Sequence, residues 1–65
     1  RIILAGGLTP NNIGAAITQV QPYGVDVSSG IEKSQGKKDI GKIYSFVDQV
    51  RQANLIIRKN AEIKL

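Results

Sequence analysis

Apolar positions in this chain recur with two different periods, and the alternation between them sets out the elements. Ile2-Ile3-Leu4-Ala5 is a continuous apolar run, the pattern of a parallel strand covered on both faces. Gly6-Gly7 ends it. Thr9 reads as an N-cap and Pro10 as the first helical residue, where a missing N–H costs nothing. Ile13, Ala16, Ile17 and Val20 then fall at i, i+3, i+4 and i+7, one apolar stripe on a helix of about three turns. Gly14 weakens that helix by roughly 1 kcal/mol relative to Ala, and Pro22 stops it. Val25–Val27 predicts a second strand, interrupted by Asp26. The polar stretch 32–38 contains Gly36 and predicts a loop. Asp39 suits the N-cap of a last helix, where an acid also complements the dipole. Ile40, Ile43, Phe46, Val47 and Val50 supply its apolar face, Asp48, Gln49, Arg51 and Gln52 its wet side, and the pattern runs to about Ala53. Leu55, Ile56, Ile57, Ile63 and Leu65 follow no single period, so residues 54–65 are expected to form an irregular or helical extension.

The order strand, helix, strand, helix, with about twenty residues between Leu4 and Val25, is too long for a hairpin and suits a right-handed crossover between parallel strands. The fold class is therefore α/β, a βαβα unit over residues 1–53 followed by the extension 54–65. Sixty-five residues bury only roughly 60% of their unfolded surface, which leaves a marginal core. The chain opens on Arg1, without a Met, directly in a strand-like run. It reads as the C-terminal piece of something longer, the alternative being a small protein whose leader was removed. Two isolated parallel strands leave two open sheet edges, so association is expected, with copies of the chain or with the missing portion. The Leu55-Ile56-Ile57 run is a candidate contact.

Composition narrows the chemistry. The sequence has no cysteine and no histidine, which removes disulfides, thiolate metal sites and the commonest general base. Net charge is +4, but the cations are spread from Arg1 to Lys64, and two tyrosines and one phenylalanine are too few for a base-stacking platform. Neither a nucleic-acid nor a membrane partner is expected. No apolar run approaches the ~20 residues of a transmembrane span and no signal-peptide pattern is present, so a cytoplasmic location is expected.

The residues that carry chemistry lie where each strand ends. Gly6 and Gly7 follow the first strand; Ser28, Ser29 and Gly30 follow the second. Small residues at such turns let backbone N–H groups approach an anion, and two adjacent loops can close on one phosphate. A tight strand-to-helix turn accounts equally for Gly6-Gly7. Asp26 is costly inside a barrel strand unless paired or working, and a structural hydrogen bond competes with a ligand-facing role.

Three linked motifs, Leu4-Ala5-Gly6-Gly7-Leu8-Thr9-Pro10-Asn11-Asn12, Pro22-Tyr23-Gly24-Val25-Asp26-Val27-Ser28-Ser29-Gly30-Ile31-Glu32 and Gly36-Lys37-Lys38-Asp39, resemble the C-terminal end of the phosphoribosylanthranilate isomerase family over residues 2–53. The resemblance implies the seventh and eighth βα units of a (β/α)8 TIM barrel, the quarter where such barrels grip phosphate. It implies a parent enzyme of tryptophan biosynthesis, an intramolecular oxidoreductase of the aldose–ketose isomerase type. Such an enzyme converts N-(5′-phosphoribosyl)anthranilate to 1-(o-carboxyphenylamino)-1-deoxyribulose 5-phosphate by an Amadori rearrangement, without metal or organic cofactor. The family's general base, a cysteine after the first strand, and its general acid, an aspartate on the sixth, lie in segments this chain does not contain. By the same resemblance Gly6, Gly7, Ser28, Ser29 and Gly30 bind the substrate phosphate, and Asp26 orients the substrate. Lys37 and Lys38 match the family but are expected in helix-start packing and solvation. Gln35, where the family often has proline, Gly14, Gly41 and the tail after Ala53 depart from its pattern. A stand-alone phosphate-binding βαβα module remains open, as does the end of another phosphate-binding barrel enzyme, such as an indole-glycerol-phosphate synthase or a pentose-phosphate epimerase. The Val-Asp-Val-Ser-Ser-Gly segment favours the isomerase.

Overall fold

The computed structural model describes residues 2–64; Arg1 and Leu65 lie outside them. Ile3–Leu4 forms strand β1, Ile13–Val20 helix α1, Gly24–Asp26 strand β2, and Ile40–Ile57 helix α2. β1 pairs with β2 in parallel, Ile3 opposite Gly24 and Leu4 opposite Val25. The α/β class and the parallel strands are as the pattern predicts. The core is one cluster in which Ile13 and Ile17 of α1, Val25 and Val27 from β2 onward, Ile31, and Phe46, Val50 and Ala53 of α2 exclude solvent together. Strand alternation makes Leu4 and Val25 one layer beneath the helices, while Ile3, Gly24 and Asp26 face the other way.

Both helices begin where short polar side chains meet free backbone groups. Asp39 Oδ1 accepts from Lys42 N–H at 3.0 Å, the cap expected for α2. At α1 the cap differs from expectation. The Thr9 carbonyl accepts from the N–H groups of Asn12 and Ile13 at 3.2 and 3.0 Å, so the first turn does start at Thr9. The side chain that serves it belongs to Asn12, whose Oδ1 accepts from Thr9 N–H at 2.8 Å. That is the reach-back half of a capping box. α1 proper starts later than Pro10, at Ile13, and ends on Gln21 in the left-handed region (φ 53) before the buried Pro22.

Three segments differ from the sequence expectation. Residues 32–38 are not a loop. Glu32–Ser34 (β3) and Lys37–Lys38 (β4) form an antiparallel hairpin, with Gly36 at positive φ in the two-residue turn. α2 continues past Ala53 to Ile57. The last residues are a strand: Glu62–Lys64 (β5) lies parallel to β2 and in register with it, giving the sheet order β1-β2-β5. β2 is thus central, and the two edges expected beside β1 and β2 become the outer edges of β1 and β5. The first strand is also covered on one face only, since Leu4 packs on the core while Ile3 is 59% exposed. Within the helices, Val20 and Ile40 drop out of the expected apolar faces; Ile40, in the first turn of α2, is 70% exposed. No helix among the described residues is long and apolar enough to cross a membrane.

Because Phe46 is fully enclosed, Phe46→Ala is expected to cost about 3–5 kcal/mol, enough to unfold a chain of this size. Ile40→Ala should stay within about 0.5 kcal/mol. Denaturant unfolding followed by circular dichroism checks both.

Candidate phosphate-binding site

The two turns that end β1 and β2 meet in space. Gly30 is packed so tightly against the first turn that a Cβ built on it would collide with the carbonyl oxygen of Leu8 and lie 3.1 Å from Thr9 Cα. Only glycine lets the two backbones approach so closely. The structure therefore brings Gly6, Gly7, Ser28, Ser29 and Gly30 to one end of the sheet, beyond the C-terminal ends of two paired parallel strands.

The first turn carries two consecutive left-handed residues, Gly6 at φ 79 and Gly7 at φ 68. Both are exposed, and a Cβ on either would meet no atom within 4 Å. Glycine is needed here for its backbone conformation, and the space above it is open. The turn is held by Asn12, whose Nδ2 donates to the Gly7 carbonyl at 2.7 Å while its Oδ1 takes the Thr9 N–H. One side chain thus pins the loop at Gly7 and at Thr9, while Gly6 and Gly7 stay exposed.

The second turn is a single 3-10 turn over Ser29–Ile31, with Ser28 and Ser29 exposed. The hairpin buttresses it. Lys38 Nζ donates to the Ser28 carbonyl at 3.3 Å and pairs with Glu32 Oε2 at 3.4 Å. Lys42 Nζ donates to the Glu32 carbonyl at 2.8 Å, and Asp39 N–H to the Ile31 carbonyl at 2.7 Å. The Lys38–Glu32 pair is exposed on its lysine side, where ion pairs contribute little net stability. Its effect is geometric: it ties β4 to the backbone of the Ser28 turn. Helix-start packing and solvation are expected of Lys37 and Lys38; Lys38 in addition holds the Ser28 carbonyl.

Asp26 is half-buried on the face of β2 opposite Val25 and Val27. It lines an open cleft of about 240 Å³ with Ile3, Gly24, Glu62 and Lys64, and stands in register with Lys64. A larger cleft of about 500 Å³ lies between the N-terminal ends of the two helices, lined by Thr9, Pro10, Gly30, Lys42 and Ser45 among others. It opens behind Gly30, on the helix side. Among the described residues no three His, Cys, Asp or Glu side chains converge as a metal site would require.

Asn12, Glu32, Lys38 and Lys42 shape the site but do not stand out in the sequence. A two-residue Gln35-Gly36 spacer between short segments is a hairpin signal. It is muted here because both flanking segments are polar and show no alternation.

Comparison with known proteins adds an independent line. A family model described as N-(5′-phosphoribosyl)anthranilate (PRA) isomerase matches residues 1–49. A Magnetococcus marinus protein named N-(5′-phosphoribosyl)anthranilate isomerase is 65% identical over 51 residues, 78% of this chain and 24% of its own length. Proteins of the same name from Pseudomonas fluorescens and Trichlorobacter lovleyi are 62% and 55% identical over 53 residues, 82% of this chain and 25% and 26% of theirs. The chain spans about a quarter of the length of the curated relatives it matches. No solved structure matches it.

Gly30→Ala is expected to force the two turns apart, at a cost of about 1–3 kcal/mol, with amide shifts spreading to Leu8 and Thr9. Gly6→Ala should cost about 1–2 kcal/mol through its left-handed backbone alone, leaving the Ser28–Ile31 amides in place. Thermal unfolding and amide NMR spectra separate the two effects.

Proposed function

Since the chain belongs to the N-(5′-phosphoribosyl)anthranilate isomerase family, we propose that it is the phosphate-gripping C-terminal part of such an isomerase. In this reading residues 1–53 are the last two βα units of a (β/α)8 barrel, and 54–65 are an extension beyond them. The observation that carries it is the abutment of Gly30 on Leu8 and Thr9, which sets two small-residue turns side by side at the C-terminal ends of adjacent parallel strands. Barrel enzymes build their phosphate sites from the loops after the last two strands, together with a short extra helix; the short 3-10 turn Ser29–Ile31 after β2 supports this reading.

The chemistry follows from the geometry. A phosphate above the two turns presents oxygens to the N–H groups of Gly6 and Gly7 on one side and of Ser29 and Gly30 on the other, with Ser28 beside them. Charge-assisted hydrogen bonds from backbone donors are strong and need no side-chain ordering. The phosphate then anchors N-(5′-phosphoribosyl)anthranilate so that its ribose extends over the barrel face of the sheet, where Asp26 orients it. Ring opening and the Amadori proton transfers fall to an acid and a base on other strands of the barrel. The whole enzyme acts in the cytoplasm on this phosphorylated substrate. The remaining barrel strands, or further copies of the chain, cover the exposed Ile2 and Ile3 and the exposed Leu55 and Ile56 of α2.

A stand-alone phosphate-binding module is the second reading. It is favoured by one observation, the presence of a strand on each edge of β2.

The purified 65-residue chain should show no turnover of N-(5′-phosphoribosyl)anthranilate, because the loss of both acid and base removes several orders of magnitude in rate. Turnover free of host enzyme would sink the reading. In the intact enzyme, Gly7→Val places a branched Cβ where the backbone meets phosphate and cannot hold the left-handed conformation. KM should rise at least about tenfold; unchanged steady-state kinetics would remove this loop from the phosphate site.

A further inference from the structure

Residues 58–64 are fastened more firmly than an idle tail requires. α2 ends on Arg58 in the left-handed region (φ 55), and the N–H groups of Arg58 and Lys59 both reach the Asn54 carbonyl, a helix end that reverses the chain. The Asn54 side chain then holds the returning strand from two sides. Its Oδ1 accepts from Ala61 N–H at 3.1 Å and its Nδ2 donates to the Ala61 carbonyl at 3.4 Å. Ala61 is buried and Ile63 packs on the core. Glu62 N–H donates to the Tyr23 carbonyl at 3.1 Å and Val27 N–H to the Lys64 carbonyl at 2.9 Å. The approach is close at Gly24, where a Cβ would sit 3.0 Å from the Glu62 carbonyl oxygen.

The match to the family model ends at residue 49, so this segment lies outside it. In a closed barrel every strand has a parallel neighbour on each edge. β1 occupies one edge of β2, and β5 occupies the other. Two strands cannot use one row of N–H and C=O groups. Resting on the isomerase reading above, we propose that the outer edge of β2 is the docking surface for a parallel strand from the rest of an isomerase barrel, and that β5 is an intramolecular stand-in held by Asn54 which must peel away before the barrel closes.

The occupant follows from what β5 already satisfies. An incoming strand runs parallel to β2, so its C-terminal end falls beside the Ser28 turn. It places an apolar side chain over the core layer, where Ile63 now sits level with Val25. Its backbone takes the bonds of Glu62 and Lys64 to Tyr23 and Val27. β5 supplies three residues of pairing, a short strand that a longer barrel strand can outcompete once the Asn54 hold is lost.

Two measurements on the full 65-residue chain test this. The first is amide hydrogen exchange, read at Val27 in the parent, Asn54→Ala and Glu62→Pro and at Glu62 in the first two; the proline removes one strand N–H without touching α2. The second is the affinity of each for the Magnetococcus marinus isomerase truncated before the segment that matches this chain. Exchange is expected to quicken about tenfold in either variant, from the loss of one or two hydrogen bonds, with helical circular dichroism retained. Affinity should rise by the same factor, since the stand-in no longer competes. Unchanged exchange overturns the Asn54 hold. Faster exchange with unchanged affinity overturns the competition and leaves the isomerase reading intact. Faster exchange with no binding by any of the three chains overturns the barrel reading, and the docking surface with it.

Discussion

The backbone-to-backbone contact between Gly30 and the Leu8–Thr9 segment is the constraint around which this chain is organised. It joins two βα units that are otherwise connected through the sheet and the helix interface. If the turns stood apart by the width of one side chain, Ile31 could not lie in the same core cluster as Leu8, Ile13 and Phe46. The small residues at the two strand ends would then face separate patches of solvent. The contact sets the turn after β1 against the turn after β2, and the proposed phosphate site rests on that abutment.

Polar groups around that contact act on geometry more than on stability. Asn12 ties down the Gly7 carbonyl and the Thr9 N–H. Lys38 and Lys42 tie the hairpin to the second turn through the Ser28 and Glu32 carbonyls. Each of these side chains engages a carbonyl oxygen, and Asn12 takes the Thr9 N–H as well. Exposed hydrogen bonds of this kind contribute modestly to folding. Their value lies in keeping left-handed glycines and a 3-10 turn in one arrangement.

The sheet answers a second demand. A parallel pair of two and three residues exposes strand edges, and exposed edges recruit other strands. Here the chain folds its own tail onto the edge of β2, using the left-handed Arg58 and the Asn54 side chain to turn back. The opposite face of the sheet, from Ile3 to Asp26, stays uncovered, as does the far side of α2 at Leu55 and Ile56. Those surfaces lie where a (β/α)8 barrel places its interior and its neighbouring helices.

What could be read from the sequence and what could not divide along the range of the interactions. The apolar run at Ile3-Leu4, the stripe of Ile13 and Ile17, the Phe46 and Val50 face, the Asp39 cap and the small residues closing each strand were all legible, because each depends on neighbours within a turn or two along the chain. Thr9 reads as the cap and its carbonyl does open the first turn, but the bond from its N–H to the Asn12 side chain depends on the course of the backbone. The hairpin at 32–38 was hidden by polarity on both of its faces. β5 was hidden more deeply: Glu62-Ile63-Lys64 is too short to display a period, and its strand identity exists only because β2 offers an edge that lies far away in sequence. The sequence by itself determined the α/β alternation, the core-facing Ile13, Ile17, Phe46 and Val50 of the helices and the composition of the two turns. The tertiary structure alone decided that those turns touch, that Lys38 serves the second of them and that the tail becomes a strand, because each of these depends on two backbones far apart in sequence meeting at hydrogen-bond or van der Waals distance.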